Sequence, residues 1–455
     1  MKLQGLTDLS GLLRLGLSRS VASLFVKVLT AGLTYLTYVV LSRMMDGTEY
    51  GYFAFGLSLA TVLAIGAGMG QQTAILRFWP EETVGGRAGQ ALASLRAGGA
   101  LTVLAGIFIT LALVTLALAI RVLGGRDAPV GQLYGAAALI LPLALAEYFS
   151  SALRAQGSVW TALVPRDLIW RAAVPIVVAV LFMTGIRLMG ISALLLTALG
   201  LVAALGVQVY MARWRGYHIL PGFKGLSSYW GARGGASRWF LLGTVIDSAA
   251  LNVDVILVGL MIAPESAGVY FNAFRTAGLL TLFMFAITLV VAPMVAEHYH
   301  AGEMRKAQAV TALCAWAGFA FSLVVFAGFV LFGDQILGMF GEHQESGTIL
   351  LILLSIGLLF DAATGPSRIV MMMTGHERAY VRIFGLVMLV GMAAQVVVIP
   401  VFGLVGAAAT NMAFRIVAQI AIAWWSRKHI GLDTSLLGAA LINRQADRPH
   451  PVAAQ

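Results

Sequence analysis

Ten of the charged side chains within the apolar runs of this chain are candidates for membrane depth, and their chemistry frames everything else about it. In the first half they are Lys27, Arg96, Glu147 and Arg171; in the second, Asp247, Asp254, Arg275, Asp361, Arg368 and Arg415. A charge at the centre of a hydrocarbon slab costs about 2.5 kcal/mol or more, so those retained face a cavity or a partner. An arginine fork pairs with phosphate oxygens through two hydrogen bonds at once, and lysine offers a point charge. A carboxylate in a half-dry cavity has a raised proton affinity and binds H+ or Na+. The first set sums to +2 and the second to zero, so the first half is the more cationic. Gln71, Gln72, Asn252, Asn272, Gln395 and Asn411 add neutral amides of the kind that hydrogen-bond sugars.

Each charge also has a structural reading. Lys27, Arg96 and Arg171 lie about two turns inside helix ends, from which a long stem carries its charge to the interface. Arg368 follows Pro366 and has Asp361 seven residues before it, a pairing distance along one helix face. Arg415 stands four residues after Asn411. Asp247 and Asp254, seven apart, are either partners for second-half arginines or a coupling pair. Glu147, after Pro142, is placed to pair with Lys27 or Arg171. His298 and His300 flank Tyr299 and give a weak metal signal; a headgroup-facing pair is the simpler reading. No metal or cofactor is expected, and H+ and Na+ stay open as coupling ions.

The elements that hold these residues follow from composition. Of the 455 residues 60% are hydrophobic and 11% charged, too little charge for a soluble protein of this size. Apolar runs of about 20 residues, the length of a bilayer crossing, fall near 20–43, 50–76, 90–120, 131–154, 161–186 and 190–212. A second set falls near 237–262, 268–296, 308–332, 346–373, 380–401 and 404–426. The expected fold is all-α and polytopic, with about twelve transmembrane helices. No removable signal peptide is expected, and the single Cys314 excludes an internal disulfide. With the N-terminus inside, twenty Lys and Arg fall on cytoplasmic segments and four (Arg43, Arg121, Arg126, Arg187) outside. That bias places both termini in the cytoplasm. Leucines 6, 9, 13 and 17 suggest an interfacial helix over 3–19.

The two sets of six resemble each other. "SRMMDGTEYGYFAF" and "GLMIAPESAGVYFNAF" align Gly51 with Gly268, and "LRAQG" and "MMTG" align Gly157 with Gly375. The chain therefore reads as two six-helix lobes, 1–225 and 226–455, around a central cavity that works by alternating access. The link, about 213–238, carries Arg213, Arg215, Lys224, Arg233 and Arg238 beside Trp214, Tyr229, Trp230 and Trp239. Such a mixture suits anionic headgroups.

Three stretches carry a family likeness: "VLSRMMDGTEYGYFAFGLSLATVLAIGAGMG", "NVDVILVGLMIAPESAGVYFNAFRTAGLL" and "FGDQILGMFGEHQESGTILLILLS". In order and spacing they resemble the polysaccharide transporter and oligosaccharide flippase branch of the MOP superfamily (multidrug/oligosaccharidyl-lipid/polysaccharide exporters). The resemblance implies a flippase that moves an undecaprenyl-diphosphate-linked glycan, or a related glycolipid, from the cytoplasmic to the periplasmic leaflet of a bacterial inner membrane. It implies a lipid-linked anionic glycan and membrane lipids as partners, with a polysaccharide polymerase and glycosyltransferases nearby and no nucleic acid. Arg275, inside "YFNAFR", resembles a cavity-lining cation of lipid flippases in this superfamily. The expected phosphate partners are Arg275 and Lys27, supported by Arg415 and Arg171, with Asp254, Asp247, Glu147 and Asp361 tuning charge or coupling.

The nearest alternative is a cation-coupled multidrug and toxin extrusion exporter of the same superfamily, against which Lys27 counts. A major facilitator would carry G-x-x-x-D-R-x-G-R after its second helix, where this chain reads "RFWPEETVGGRAGQ". A membrane glycosyltransferase needs paired carboxylates on a sizeable loop. The outer loops are short and lack D-x-D, so no enzyme is expected.

Overall fold

The computed structural model describes residues 25–444 apart from Lys27, 125–129, Ile186 and 342–346. Lys27 and the expected interfacial helix over 3–19 therefore lie outside the described residues. Every regular element among the described residues is helical. The helices are α1 (Val28–Met44), α2 (Gly47–Ala67), α3 (Gln71–Val84), α4 (Ala88–Leu123), α5 (Gly131–Ala155), α6 (Val159–Leu163), α7 (Trp170–Met183) and α8 (Gly190–Trp214). They continue as α9 (Leu226–Met261), α10 (Pro264–Ala277), α11 (Thr281–His300), α12 (Met304–Gly338), α13 (Gly347–Ala363), α14 (Ser367–Met373) and α15 (Glu377–Trp425).

The chain is a multi-pass membrane protein. Seven helical stretches among the described residues are long and apolar enough to cross a bilayer, and α13 with α14 forms an eighth, bent by 42°. Phe108, Leu111, Leu116 and Leu118 on α4 are exposed while Ala97, Gly98, Gly99 and Ala100 are buried. That inside-out pattern suits a lipid solvent, in which large apolar side chains face outward and small residues let backbones approach. The 49 residues of α15 would extend about 73 Å, more than twice a hydrocarbon core. Gly403, at φ 59° and ψ −144°, breaks it where the sequence places the boundary between the last two spans.

Four expected spans are broken rather than continuous. The run 50–76 is divided at Gly68–Gly70, where Met69 and Gly70 take positive φ. A Cβ on Gly70 would meet the backbone of Ser237 and Leu241 on α9 at 2.5 and 2.7 Å, so only glycine fits this crossing. The runs 161–186 and 268–296 are interrupted by a π turn, Val164–Ile169, and a 3-10 turn, Gly278–Leu280; 346–373 breaks between α13 and α14. The expected linker over 213–238 is also much shorter. Only residues 215–225 are non-helical before α9, whose Arg233 pairs with Glu81 (3.2 Å) and Glu82 (3.0 Å) of α3. Tyr229 Oη donates to Gln71 Oε1 at 2.7 Å beside this pair.

The chain divides into two compact units, residues 25–271 and the part from Asn272 onward. In the first, Leu194 of α8 fills a notch made by two glycines: a Cβ on Gly56 or Gly135 would lie 2.5 or 2.6 Å from its side chain. The repeat-matched glycines meet here as well. A Cβ on Gly51 would lie 1.8 Å from Pro264 O, and one on Gly268 would lie 3.5 Å from Gly51 Cα. Thr48 Oγ1 donates to Glu265 Oε1 at 2.5 Å beside them. In the second unit the segment after α15 is tied to α12 by the buried Gln308. Its amide donates to Asp433 O (2.7 Å) and accepts from Asp433 N–H (2.9 Å).

Candidate functional site

Pro165 has no N–H to give, so the carbonyl of Thr161, four residues earlier, loses its helical partner. The backbone widens here into the π turn between α6 and α7. In a bilayer the released carbonyls need donors from elsewhere, and side chains supply them. Gln208 on α8, fully buried, donates through Nε2 to Ala162 O (3.0 Å) and Thr161 O (3.4 Å). Trp170 Nε1 donates to Arg166 O at 2.5 Å. Arg171 Nη1 donates to the carbonyls of Asp167 (3.2 Å) and Arg166 (3.4 Å).

The turn aims Arg166 at α5, where its Nη2 forms an ion pair with Glu147 and its Nη1 lies 3.4 Å from Ser150 Oγ. Its Nε is 3.4 Å from Asp167 Oδ1, and Arg171 Nη1 is 3.6 Å from the same oxygen. Asp167 is 1% exposed, whereas Glu147 is 33% exposed. Arg154, two turns along α5 from Glu147, donates to Ser151 Oγ at 3.0 Å. The Arg171 guanidinium lies 4.4 Å from the Trp170 ring centroid, and Thr37 Oγ1 of α1 donates to the Arg171 carbonyl at 3.1 Å. Arg171 Nε is buried with no acceptor among the described residues. Arg166 and Arg171 thus face Glu147 and Asp167, and the exposed Arg154 at the end of α5 adds one net positive charge. Glu147 stands eight residues before the end of α5, about 12 Å inside it.

The other expected residues are placed as follows. Glu147 takes Arg166 as its ion-pair partner rather than Lys27 or Arg171. Asp361 pairs with Arg415 at 2.8 Å rather than with Arg368, whose guanidinium lies 5.6 Å from the Tyr380 ring centroid. The carboxylate therefore engages part of the Arg415 fork. Asp254, 6% exposed, accepts from Tyr270 Oη at 2.8 Å and so ties α9 to α10; Asp247 is half-buried two turns earlier. Arg275 is half-buried in the last turn of α10, one turn beyond the fully buried Asn272.

His298 and His300 do not converge. His298 Nδ1 meets Glu303 Oε2 at 2.7 Å and His300 Nε2 donates to Met373 O at 3.2 Å. Lys306 and His298 hold the Glu303 carboxyl below its usual range. Arg166 and Asp167 were not among the sequence candidates. The signal that points to them is Pro165 inside an apolar run, directly before an Arg-Asp pair.

Comparison with known proteins places this geometry. The sequence profile described as polysaccharide biosynthesis protein matches residues 17–299, and the MatE profile matches residues 241–397. No curated protein sequence matches the chain. Among solved structures, the chain is similar to an inward-facing multidrug resistance MATE transporter of the MOP superfamily, with TM-score 0.69 and 17% identity over 91% of this chain and 96% of that one. An outward-facing multidrug resistance MATE transporter gives TM-score 0.65 and 15% identity over 95% and 96%. A MOP superfamily transporter from Pyrococcus furiosus, whose reverse pocket polarity is described as suggesting a different function, gives 0.62 and 16% over 91% and 95%.

Proposed function

The chain belongs to the polysaccharide biosynthesis protein family of MOP superfamily transporters, and from that premise we propose that it is a flippase for a lipid-linked oligosaccharide. The substrate is a glycan joined to a polyprenyl chain through diphosphate, carried from the cytoplasmic to the periplasmic leaflet of a bacterial inner membrane. The observation that carries this reading is the arginine cluster on α5, the π turn and α7. Arg166 and Arg171 stand against Glu147 and Asp167 at a depth where an unneeded cation is costly, and the exposed Arg154 at the end of α5 leaves the group net positive. A diphosphate is the part of such a substrate that an apolar slab rejects, and guanidinium forks replace its hydration. The lipid tail stays in the bilayer. The sugar meets amides such as Gln72, both of whose amide atoms are buried without a hydrogen-bond partner among the described residues.

With both termini in the cytoplasm, the turn at 156–158 is cytoplasmic. The cluster then stands near the leaflet in which the substrate is made. Arg275 and Lys27 remain further diphosphate partners under this proposal. Arg415, held by Asp361, is given a structural role. A polymerase and glycosyltransferases are the partners such a carrier serves.

A second reading, a cation-coupled multidrug exporter, is favoured by the MatE match over 241–397 and by the MATE neighbours. The two readings part at the charge of the cargo. Arg171→Ala and Arg166→Ala, at equal membrane abundance, should abolish surface polysaccharide while leaving efflux of cationic dyes unchanged. Full polysaccharide export from both variants, or dye efflux that depends on this protein, would favour the exporter.

A further inference from the structure

Glu147 and Arg166 form an ion pair at membrane depth in which one partner is the residue a phosphate would want and the other resembles a phosphate. A carboxylate presents two anionic oxygens to a guanidinium fork, as a phosphate does. The two carboxylates of the cluster are not equivalent. Asp167 is 1% exposed and sits on the π turn between Arg166 and Arg171. Glu147 is 33% exposed and forms its ion pair with Arg166. One carboxylate is built in; the other is reachable.

Resting on the flippase reading above, we infer that Glu147 is an internal stand-in for the substrate's phosphate. It occupies the Arg166 fork in the empty protein. An arriving diphosphate takes that fork and the buried Arg171 Nε, which has no acceptor among the described residues. The displaced Glu147 carboxylate then takes one proton from water at its exposed edge and becomes a neutral acid.

Charge balance supplies the reason. The cluster carries one net positive charge when both carboxylates are ionised. A diphosphate diester brings two negative charges. With Glu147 ionised the loaded site would be net −1; with Glu147 protonated it is neutral, the state a low-dielectric site favours. No covalent bond forms or breaks, and the proton comes from solvent. The other titratable groups facing the cluster are Arg154 on α5, Asp167 and Arg166 on the turn, Arg171 on α7 and the neutral Tyr38 on α1. His218 approaches the end of α5 only through its backbone, which pairs with the Gln156 amide at 2.6 and 3.0 Å.

The test uses the purified full-length protein in lipid nanodiscs and a short-chain isoprenyl diphospho-N-acetylglucosamine, a diester whose own charge is constant through the range studied. Calorimetry is run in two buffers of different ionisation enthalpy between about pH 5.5 and about pH 7.5. Wild-type protein should take up about one proton per ligand bound, and its affinity should fall as pH rises, by up to about tenfold per unit. Glu147→Gln should bind at least as tightly as the wild type does in acid, with no proton uptake. His218→Gln should keep the proton uptake, whereas Asp167→Asn, whose loaded site is neutral with Glu147 still ionised, should reduce it. Binding by the wild type with no proton uptake overturns the stand-in role and leaves the flippase reading intact; so does Glu147→Gln binding more weakly at every pH. Wild-type protein that does not bind the diester at all overturns both. If Glu147→Gln fails to fold, the wild-type proton count decides alone.

Discussion

An arginine inside a membrane protein serves a ligand through the part of its fork that a carboxylate leaves open or gives up. Arg171 keeps a buried Nε with no acceptor among the described residues. Arg415, with its Nη1 2.8 Å from Asp361, is one half of a structural pair in the second unit. Removing one member of a buried pair leaves an uncompensated charge, costing about 3 kcal/mol or more. Arg415→Ala should lower the thermal midpoint in detergent, and Arg415→Ala with Asp361→Ala should recover much of the loss. Additive losses would mean that the two do not act as a pair. Arg166→Lys keeps the charge but loses the planar fork that reaches Glu147, Ser150 and Asp167 together. Binding of a diphosphate diester should weaken about tenfold or more, measured by calorimetry. At this scale the sequence revealed which residues are unusual but not which of them meet. Asp361 and Arg368 share a helix-face spacing, yet the nearer partner comes from α15, 54 residues away. Arg166 escaped notice because it stands five residues inside an expected span, where basic residues ordinarily snorkel.

The elements were legible wherever apolar length decides the outcome. Each expected span has a helical counterpart, and the last pair separates at Gly403 where the apolar runs divide. What pattern did not show is how spans break. Pro165, Gly70 and Gly365 each interrupt a run that hydropathy reads as continuous, because local backbone geometry leaves average apolarity unchanged. The π turn depends on a donor from another helix, so Gln208→Leu should leave the Thr161 and Ala162 carbonyls short of one. A loss of about 1–3 kcal/mol is expected, read as a lower thermal midpoint in detergent. An unchanged midpoint would show that the carbonyls find other partners. The crossing of α2 and α10 leaves no room for a side chain at Gly51. Gly51→Val should sharply reduce the folded protein recovered from membranes, whereas Gly86→Ala, with open space but positive φ, should cost only about 1 kcal/mol.

For the whole molecule, charge asymmetry gives an orientation that labelling can check. Cys314 is the single cysteine and is buried, so Cys314→Ala provides a background for introduced thiols. With the termini in the cytoplasm, Thr184→Cys should react with a membrane-impermeant maleimide in cells whose outer membrane has been opened. Lys224→Cys should react only after the inner membrane is breached. The reverse pattern would put the arginine cluster near the other leaflet and remove its link to where the substrate is made. Two glycine offsets suggest a repeat, but they could not show that Gly51 and Gly268 lie close together, since alignment carries no distance.

The most direct measurement is translocation itself. Proteoliposomes holding the purified protein and a fluorescent isoprenyl-diphosphate-linked sugar can be quenched from outside to count substrate in each leaflet. Wild-type protein should exchange the lipid between leaflets, and Arg166→Ala with Arg171→Ala should not, while both proteins reconstitute equally. Exchange by the double variant at the wild-type rate would contradict the assignment of the arginine cluster to the diphosphate.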